Sequence, residues 1–439
     1  MIVPGKRLLT WATVAVPVCA VGILVDGAGV VALALCGILV GIVVVDAVTG
    51  KGRLRSVVVN VPDIVRTSKE KETEIPLQIV DREMRGRRLA IGVQLPSHIL
   101  QDSEFVETIL PAGHPAARIA LRCRPQRRGS FKIERFFIQT PSPMGLWDVR
   151  GSAKGSLELR VYPNLRSERR QLAAVFLRRG MAGIHAHRMI GKGREFEKLR
   201  EYIMGDSFED VHWKATAKRG KPVTKVFQIE RTQELYVVLD ASRMMAKPRG
   251  EASTLDRYIS CALALGLVTQ QQGDLFGMLT FSDKIHRFIR AGSGSLHYNA
   301  CRYAVYTLEP GLVNPDFDAV TSFIRLHMNR RALLVFLTDL SDPLIAEGFL
   351  KSIPMISRKH VVLVNMMKEP GVEEIFRGAE VGKVDDLYGR LAGHTLWCGI
   401  KELENKLRQY GVQMSQVESP RMSTHLVSQY VSIKRRQLL

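Results

Sequence analysis

Two long apolar runs open the chain, and short apolar strands alternating with amphipathic helices close it. Leu8 to Val25 is almost wholly apolar, Asp26-Gly27-Ala28-Gly29 interrupts, and Val30 to Val45 is apolar again. A membrane span needs about 20 apolar residues, which each run meets with its flanks. Neither run has the polar face of a helix packed on a soluble core. Lys6 and Arg7 precede the pair, Lys51, Arg53 and Arg55 follow it, and the short turn carries no cation. Positive charge gathers on the cytoplasmic side. Residues 1–55 are therefore expected to form a transmembrane helical hairpin in the cytoplasmic (inner) membrane, multi-pass, with the globular domains in the cytoplasm. The competing reading is a signal peptide cleaved near Val18-Cys19-Ala20, but a second apolar run at once is not what such a peptide needs.

From 56 to 165 the pattern shortens. Ser56 to Val61, Glu74 to Val80, Leu89 to Val93, Ala117 to Cys123 and Arg135 to Ile138 are apolar or alternating runs separated by Pro and Gly clusters. That spacing predicts a β-sandwich-like domain. Arg127-Arg128-Gly129-Ser130-Phe131 and Pro141-Ser142-Pro143-Met144-Gly145-Leu146-Trp147 read as turns between strands, with Trp147 as a packing residue. Residues 166–234 form a basic linker and a charged, aromatic block, in which Phe196, Leu199 and Ile203 predict a helix over Glu195 to Met204.

From 235 to 439 the period switches between strand and helix. Strands are expected at Leu235 to Leu239, Leu275 to Phe281, Leu333 to Leu337, His360 to Asn365 and Val412 to Met414. Helices are expected at Leu255 to Gln271, Leu296 to Leu308, Asp316 to Met328, Leu344 to Ile353, from Glu402, and at the basic end Lys434-Arg435-Arg436. This is the pattern of an α/β, Rossmann-like domain with a mostly parallel sheet. The chain as a whole reads as multidomain.

The first strand of that domain ends in Asp240-Ala241-Ser242. A carboxylate and hydroxyls at the carboxyl edge of an open sheet suit a hard cation such as Mg²⁺. Asp339, after the strand Leu333 to Leu337, is the expected third ligand, and Ser293 or Ser295 is the candidate for a hydroxyl from another loop. Met244 stands where a second hydroxyl would complete the set, and a thioether is too soft for Mg²⁺. The competing reading is that Asp240 caps a turn. His185 and His187, two apart, carry no accompanying Cys or carboxylate cluster.

The net charge of +20 and a pI near 9.9 favour an acidic partner or an anionic membrane surface. The basic stretch has little aromatic interleaving, so nucleic acid is not expected. The six cysteines, at 19, 36, 123, 261, 301 and 398, show no metal or redox spacing and read as free thiols. There is no phosphate-binding Gly loop, nucleophile elbow or dinucleotide fingerprint, and no small-molecule substrate is expected.

The block Gly193-Arg194-Glu195-Phe196, Leu199-Arg200-Glu201-Tyr202, Gly205-Asp206 and His212-Trp213-Lys214-Ala215-Thr216-Ala217-Lys218 resembles the signature of the domain-of-unknown-function-58 family, which precedes an Asp-x-Ser strand end as it does here. Arg128-Gly129-Ser130-Phe131 and Pro143-Met144-Gly145-Leu146-Trp147 resemble two upstream segments of that family. Ser142, Glu209 and Met244 depart from its usual residues. The resemblance implies a von Willebrand factor A-like domain with a degenerate metal-ion-dependent adhesion site, and partners among MoxR-type AAA+ ATPases and other von Willebrand A proteins. It implies no catalysis. On this reading Glu195, Phe196, Arg200, Tyr202, Gly205, Asp206, His212, Trp213 and Lys214 are structural, with Trp213 as the block's apolar anchor. The expected function is a membrane-anchored, non-enzymatic adaptor. The alternatives are a metal-dependent hydrolase using the His212/Asp206 region and, behind it, a nucleic-acid binder.

Overall fold

The computed structural model describes residues 1–24, 29–83, 86–111, 113, 116–178, 190–228, 232–250, 252–375 and 384–436. The His185/His187 pair lies outside these residues, as do Asp26, Gly27 and Ala28 of the expected turn between the apolar runs. The chain divides into two compact units, Met1–Asn164 and Leu165–Leu439.

The first unit contains two apolar helices, Lys6–Leu24 and Gly29–Gly50, and two β-sheets. Thr73–Asp81 shows how the sheets form. Its Ile75, Leu77 and Ile79 are buried and the residues between them are not, the two-residue period of a strand with one face on a core. Leu89, Ile91, Ile133, Phe136, Leu157 and Leu159 of the other sheet share that core. Residues of two sheets thus share one core. Beside this core Arg87 and Asp81 form a buried ion pair at 2.8 Å.

Among the described residues, Gly29–Gly50 is the one helix long and apolar enough to cross a membrane. Its 22 residues extend about 33 Å at 1.5 Å each, against about 30 Å of hydrocarbon. Its last turns are fixed to the β-domain through one carboxylate and one backbone carbonyl. Asp46, almost fully buried, accepts bonds from the Met144 amide (3.0 Å), the Leu146 amide (3.2 Å) and the Ser142 hydroxyl. Trp147 Nε1 donates to the Val43 carbonyl at 2.9 Å. The segment Pro141 to Trp147 is therefore more than a turn. It satisfies carbonyl and carboxylate groups at the end of an apolar helix, and Trp147 does so through its polar tip. Ile2–Pro4 pairs with Trp147–Val149 of the same region, so the start of the other apolar helix is tied to it too.

The second unit begins with a helix, Arg166–Arg178. An antiparallel ribbon follows, Ile190–Glu201 with Val223–Gln228, enclosing a short helix Trp213–Arg219. Where a helix is expected over Glu195 to Met204, the chain is a strand as far as Glu201 and a turn after it. Phe196, Leu199 and Ile203 have helical spacing but are too few to decide the period, and the register Leu199↔Lys225, Arg200↔Thr224 gives the backbone ladder partners.

The main sheet has strands β1 (Glu234–Asp240), β2 (Leu275–Phe281), β3 (Ile285–Gly292), β4 (Ala332–Leu337), β5 (Val361–Met367) and β6 (Gln413–Val417). Their spatial order is 3-2-1-4-5-6, parallel except for β3. Strand β1 is apolar and buried from Leu235 to Leu239 because both faces are covered. Leu235, Val237 and Leu239 join one core, with helices α1 (Thr254–Gln271), α2 (Ser295–Val305) and α6 (Met422–Arg436). Tyr236 and Val238 join the other, with α3 (Phe317–His327), α4 (Pro343–Ser352) and α5 (Val384–Gln409). Helix α5 begins well before the expected Glu402. Helix starts are fixed by caps: Ser253 and Asp256 form a capping box on α1, and Asp316 and Asp342 cap α3 and α4. In this order the chain reverses direction between β1 and β4. A crevice opens there at the carboxyl ends of the strands, where doubly wound sheets place their ligands.

Candidate functional site at the carboxyl edge of the sheet

Asp240 and Asp339 end β1 and follow β4, on the two sides of that crevice. Asp240 is fully buried. Its Oδ1 accepts the Ser242 amide at 2.7 Å, and its Oδ2 accepts the Thr338 hydroxyl at 2.7 Å. Burial pushes its carboxyl up to about 6, against the pull of the Thr338 and Ser242 bonds. The Ser242 hydroxyl is buried beside it without a hydrogen bond of full geometry. Tyr258 of α1 supports the floor. Its hydroxyl donates to the Thr338 carbonyl (3.3 Å) and accepts the Met367 amide (2.9 Å), so β4 and β5 are pinned together.

Asp339 is nearly buried as well, but its partner is a cation. Oδ1 accepts the Ser341 amide at 3.0 Å, and Oδ2 meets Lys247 Nζ at 2.9 Å. The same ammonium reaches Glu369 Oε1 at 2.5 Å and Ser341 Oγ at 3.4 Å. Arg249 adds a longer contact to Glu369, 3.7 Å. Burial alone would lower the Lys247 pKa, but the bonds to Glu369 and Asp339 outweigh it and hold the ammonium above its ordinary value. At the rim, Arg243 pairs with Asp342 at 3.0 Å.

The remaining expected ligands do not converge. Ser293 and Ser295 follow β3, which runs antiparallel. Gly292 pairs with Phe276 at the start of β2, so this loop lies at the opposite, amino edge. The loop that does reach Asp240 is Gly311–Val313: the Gly311 amide donates to the Ala241 carbonyl (2.7 Å), and the Arg243 amide to the Val313 carbonyl (2.9 Å). Leu312 and Val313 bring no hydroxyl. Met244 packs its side chain against both cores. The donor set therefore does not fit Mg²⁺. Asp240 has both oxygens engaged by neutral donors, Asp339 is matched by an ammonium, and the cation wants hard oxygens in an octahedral array. Among the described residues no group of three or more His, Cys, Asp or Glu side chains could hold a metal.

The signature block lies on the ribbon. Arg200 Nη2 bonds Asp206 Oδ1 at 2.6 Å, and the Ile203 amide bonds Asp206 Oδ2 at 3.1 Å. Tyr202 donates to the Asp206 carbonyl at 3.3 Å. Gly205 has φ +108°, a conformation open to glycine and closed to most side chains, which is why glycine follows Met204 here. The Ile203 amide and then Arg200 keep the Asp206 carboxyl below its ordinary range. His212 is the N-cap of the short helix, its Nδ1 accepting the Ala215 amide at 3.1 Å. His212 Nδ1 and the Asp206 carboxylate are thus engaged in separate local bonds and not with each other. Lys214 is exposed. Trp213 is 66% exposed and does not anchor the block. It opens the helix on its solvent side, and the turn is held by ion pairing instead. For Glu195 and Phe196 the backbone lies in the ribbon strand.

Lys247, Glu369, Thr338 and Tyr258 complete the edge and were not evident in the sequence. Only Thr338, beside Asp339, carried a signal there. Lys247 and Glu369 meet across a loop and a strand end far apart in the chain.

Fold and edge together define a doubly wound α/β domain with a polar carboxyl edge, preceded by a β-sandwich unit that carries apolar helices. Within that class, residues 198–385 match the family described as Protein of unknown function DUF58, as the signature block leads one to expect. Uncharacterized protein Rv1480 of Mycobacterium tuberculosis and Uncharacterized protein Mb1516 of Mycobacterium bovis are each 22% identical over 190 residues, 43% of this chain and 59% of theirs. The chain thus spans less than two thirds of the curated relatives it matches. Similar solved structures include conserved hypothetical protein BatB from Bacteroides thetaiotaomicron, 13% identical with TM-score 0.32 over 46% of this chain and 99% of that one. An aerotolerance-related membrane protein from Bacteroides fragilis is 14% identical, TM-score 0.28, over 46% and 98%. The SpRpn10 VWA domain is 9% identical, TM-score 0.30, over 45% and 95%. The fold class rests on the strand order and crossovers, not on these scores.

Proposed function

We propose that the chain is a membrane-anchored, non-enzymatic adaptor that holds a protein partner on the carboxyl edge of its α/β sheet. The observation that carries this is the composition of the edge. Its charged groups pair with one another, and apolar side chains stand out beside them: Leu312 is 91% exposed and Leu344 79%. Leu312 belongs to the loop bonded to Ala241 and Arg243, and the Leu344 amide is capped by Asp342. Paired charges ringed by exposed leucines make a contact surface, where apolar anchors supply affinity and charges supply register.

The partner we propose is a MoxR-type AAA+ ATPase, together with other von Willebrand A-domain proteins, in complex assembly or maturation. The anchor is the two-helix hairpin in the cytoplasmic membrane with the globular domains on the cytoplasmic side. Its support is that Ile2–Pro4 and Asp46 are both tied to the Trp147 region, which brings the outer ends of the apolar helices to one place. The test is co-purification of the ATPase from detergent-solubilised membranes. The double variant Leu312→Asp, Leu344→Asp is expected to fold and to lose the ATPase. Retention of the ATPase by that variant places the contact elsewhere and ends this reading.

A further inference from the structure

We propose that Lys247 is the resident cation of the carboxyl edge, doing for Asp339 and Glu369 what a divalent ion does in a metal-dependent edge, and that this protein works there without a metal. The inference deepens the adaptor reading and rests on it only for the partner.

The ammonium is fixed in place. The Lys247 carbonyl accepts both the amide (2.9 Å) and the hydroxyl (3.0 Å) of Thr254 at the start of α1. The next residues, Pro248–Arg249, pair with Ala252–Ser253. The side chain is directed from there into the crevice. Its donors are met by Asp339, Glu369 and Ser341, which matches the three hydrogens of an ammonium. A divalent ion seeking Asp339 meets this positive charge first. It also finds Asp240 engaged by Thr338 and Ser242, and a facing loop, Gly311–Val313, with no hydroxyl to offer. The missing ligands and the added cation are independent departures that point the same way. A metal edge needs its ion to cancel repulsion among carboxylates, whereas here the cancellation is covalently attached.

Mn²⁺ paramagnetic resonance on the full chain in detergent, with no partner present, tests the proposal apart from the adaptor reading. The wild type is expected to leave Mn²⁺ free into the millimolar range, with a melting temperature indifferent to Mg²⁺ or chelator. Lys247→Met leaves Asp339 without its cation and Glu369 with only the longer Arg249 contact at 3.7 Å. It is expected to melt about 5 °C lower and to regain that loss on adding Mn²⁺ or Mg²⁺. Lys247→Arg keeps a charge there and is expected to behave as the wild type toward metal, which covers the case in which Lys247→Met does not fold. Two results overturn the proposal. One is tight Mn²⁺ binding by the wild type that Asp339→Asn removes. The other is a folded Lys247→Met protein with unchanged melting and no response to metal.

Discussion

Asp240 and Asp206 are built alike and titrate in opposite directions. Each closes a short turn by accepting a backbone amide, from Ser242 at 2.7 Å and from Ile203 at 3.1 Å. Each accepts one further side-chain bond. For Asp206 that donor is the Arg200 guanidinium on a half-buried turn, and the Ile203 amide together with Arg200 holds the carboxyl below its ordinary value. For Asp240 it is the neutral Thr338 hydroxyl in a fully buried crevice, and the carboxyl rises to about 6. The amide lies two residues ahead of Asp240 and three behind Asp206; burial sets the upward sign at Asp240, whereas at Asp206 the Ile203 amide and then Arg200 prevail. The lesson concerns function. An aspartate at a strand end, followed by a serine, reads as a metal ligand from sequence, but Asp240 is solvated by neutral protein donors and is half-way to being a protonated acid at mildly acidic pH.

The largest expected effect breaks the Asp240 turn outright. Asp240→Ala leaves the Ser242 amide and the Thr338 hydroxyl without their acceptor in a buried site. It should cost about 3 kcal/mol in urea unfolding at pH 5, since each stranded group costs about 1–3 kcal/mol. The gentler change, Asp240→Asn, sharpens the comparison through pH. A folded-state pKa raised from 3.8 to about 6 means that the folded protein binds the proton more tightly than the unfolded chain. The associated stability is fully present below the unfolded value and is lost as pH rises through about 6. The shift is worth about 3 kcal/mol at 1.36 kcal/mol per unit. The stability difference between wild type and Asp240→Asn should therefore move in favour of the variant by about that amount between pH 4 and pH 7. Asp206→Asn should do the reverse and less. Its depressed pKa gives stability that is present above the unfolded value and is lost as pH falls through the folded one, so the wild type loses its advantage only on the acid side. Matching slopes for the two variants would dissolve the contrast.

A smaller effect is expected one layer below the edge. Tyr258→Phe removes a hydroxyl that bonds the Thr338 carbonyl and the Met367 amide while keeping the ring in place. A loss of about 1–2 kcal/mol is expected, measured by urea unfolding, with the far-ultraviolet spectrum unchanged. No loss would mean that β4 and β5 hold the crevice open without the tyrosine.

How far the sequence reached follows from these same residues. Asp240, Ser242 and Asp339 could be placed because β1 and β4 are unbroken apolar runs, buried on both faces, whose ends announce the edge of the sheet. Ser293 and Ser295 were misplaced because β3 turns antiparallel at the sheet margin, and nothing in Ile285–Gly292 distinguishes an edge strand running back from a parallel one. The ribbon was misread as helix because its apolar residues are few and its stability comes from pairing with a strand more than twenty residues on. Lys247 and Glu369 were out of reach altogether. A lysine in a loop before a helix and a glutamate after a strand are ordinary surface residues until the fold brings them to the same carboxylate. The Asp46 clamp was hidden for the same reason, since a lone acid at the end of an apolar helix gives no hint of the Ser142 to Trp147 loop that receives it.

The smallest expected effect is at Trp213, and it decides what the signature block is for. The tryptophan opens the helix Trp213–Arg219 with two thirds of its surface in solvent, and near it in the chain Phe208 is 73% exposed and Met204 98%. Surface side chains away from special backbone or buried polar groups change stability by less than about 0.5 kcal/mol. Trp213→Ala should stay within that limit in urea unfolding. The neighbouring His212→Ala should cost more, about 1 kcal/mol, because it removes the Nδ1 cap on the Ala215 amide. An effect that small would show that the exposed ring, next to Lys214, does not hold the block together. A large destabilisation by Trp213→Ala would instead mean that the ring is packed in the working protein, and the block would return to a purely structural role.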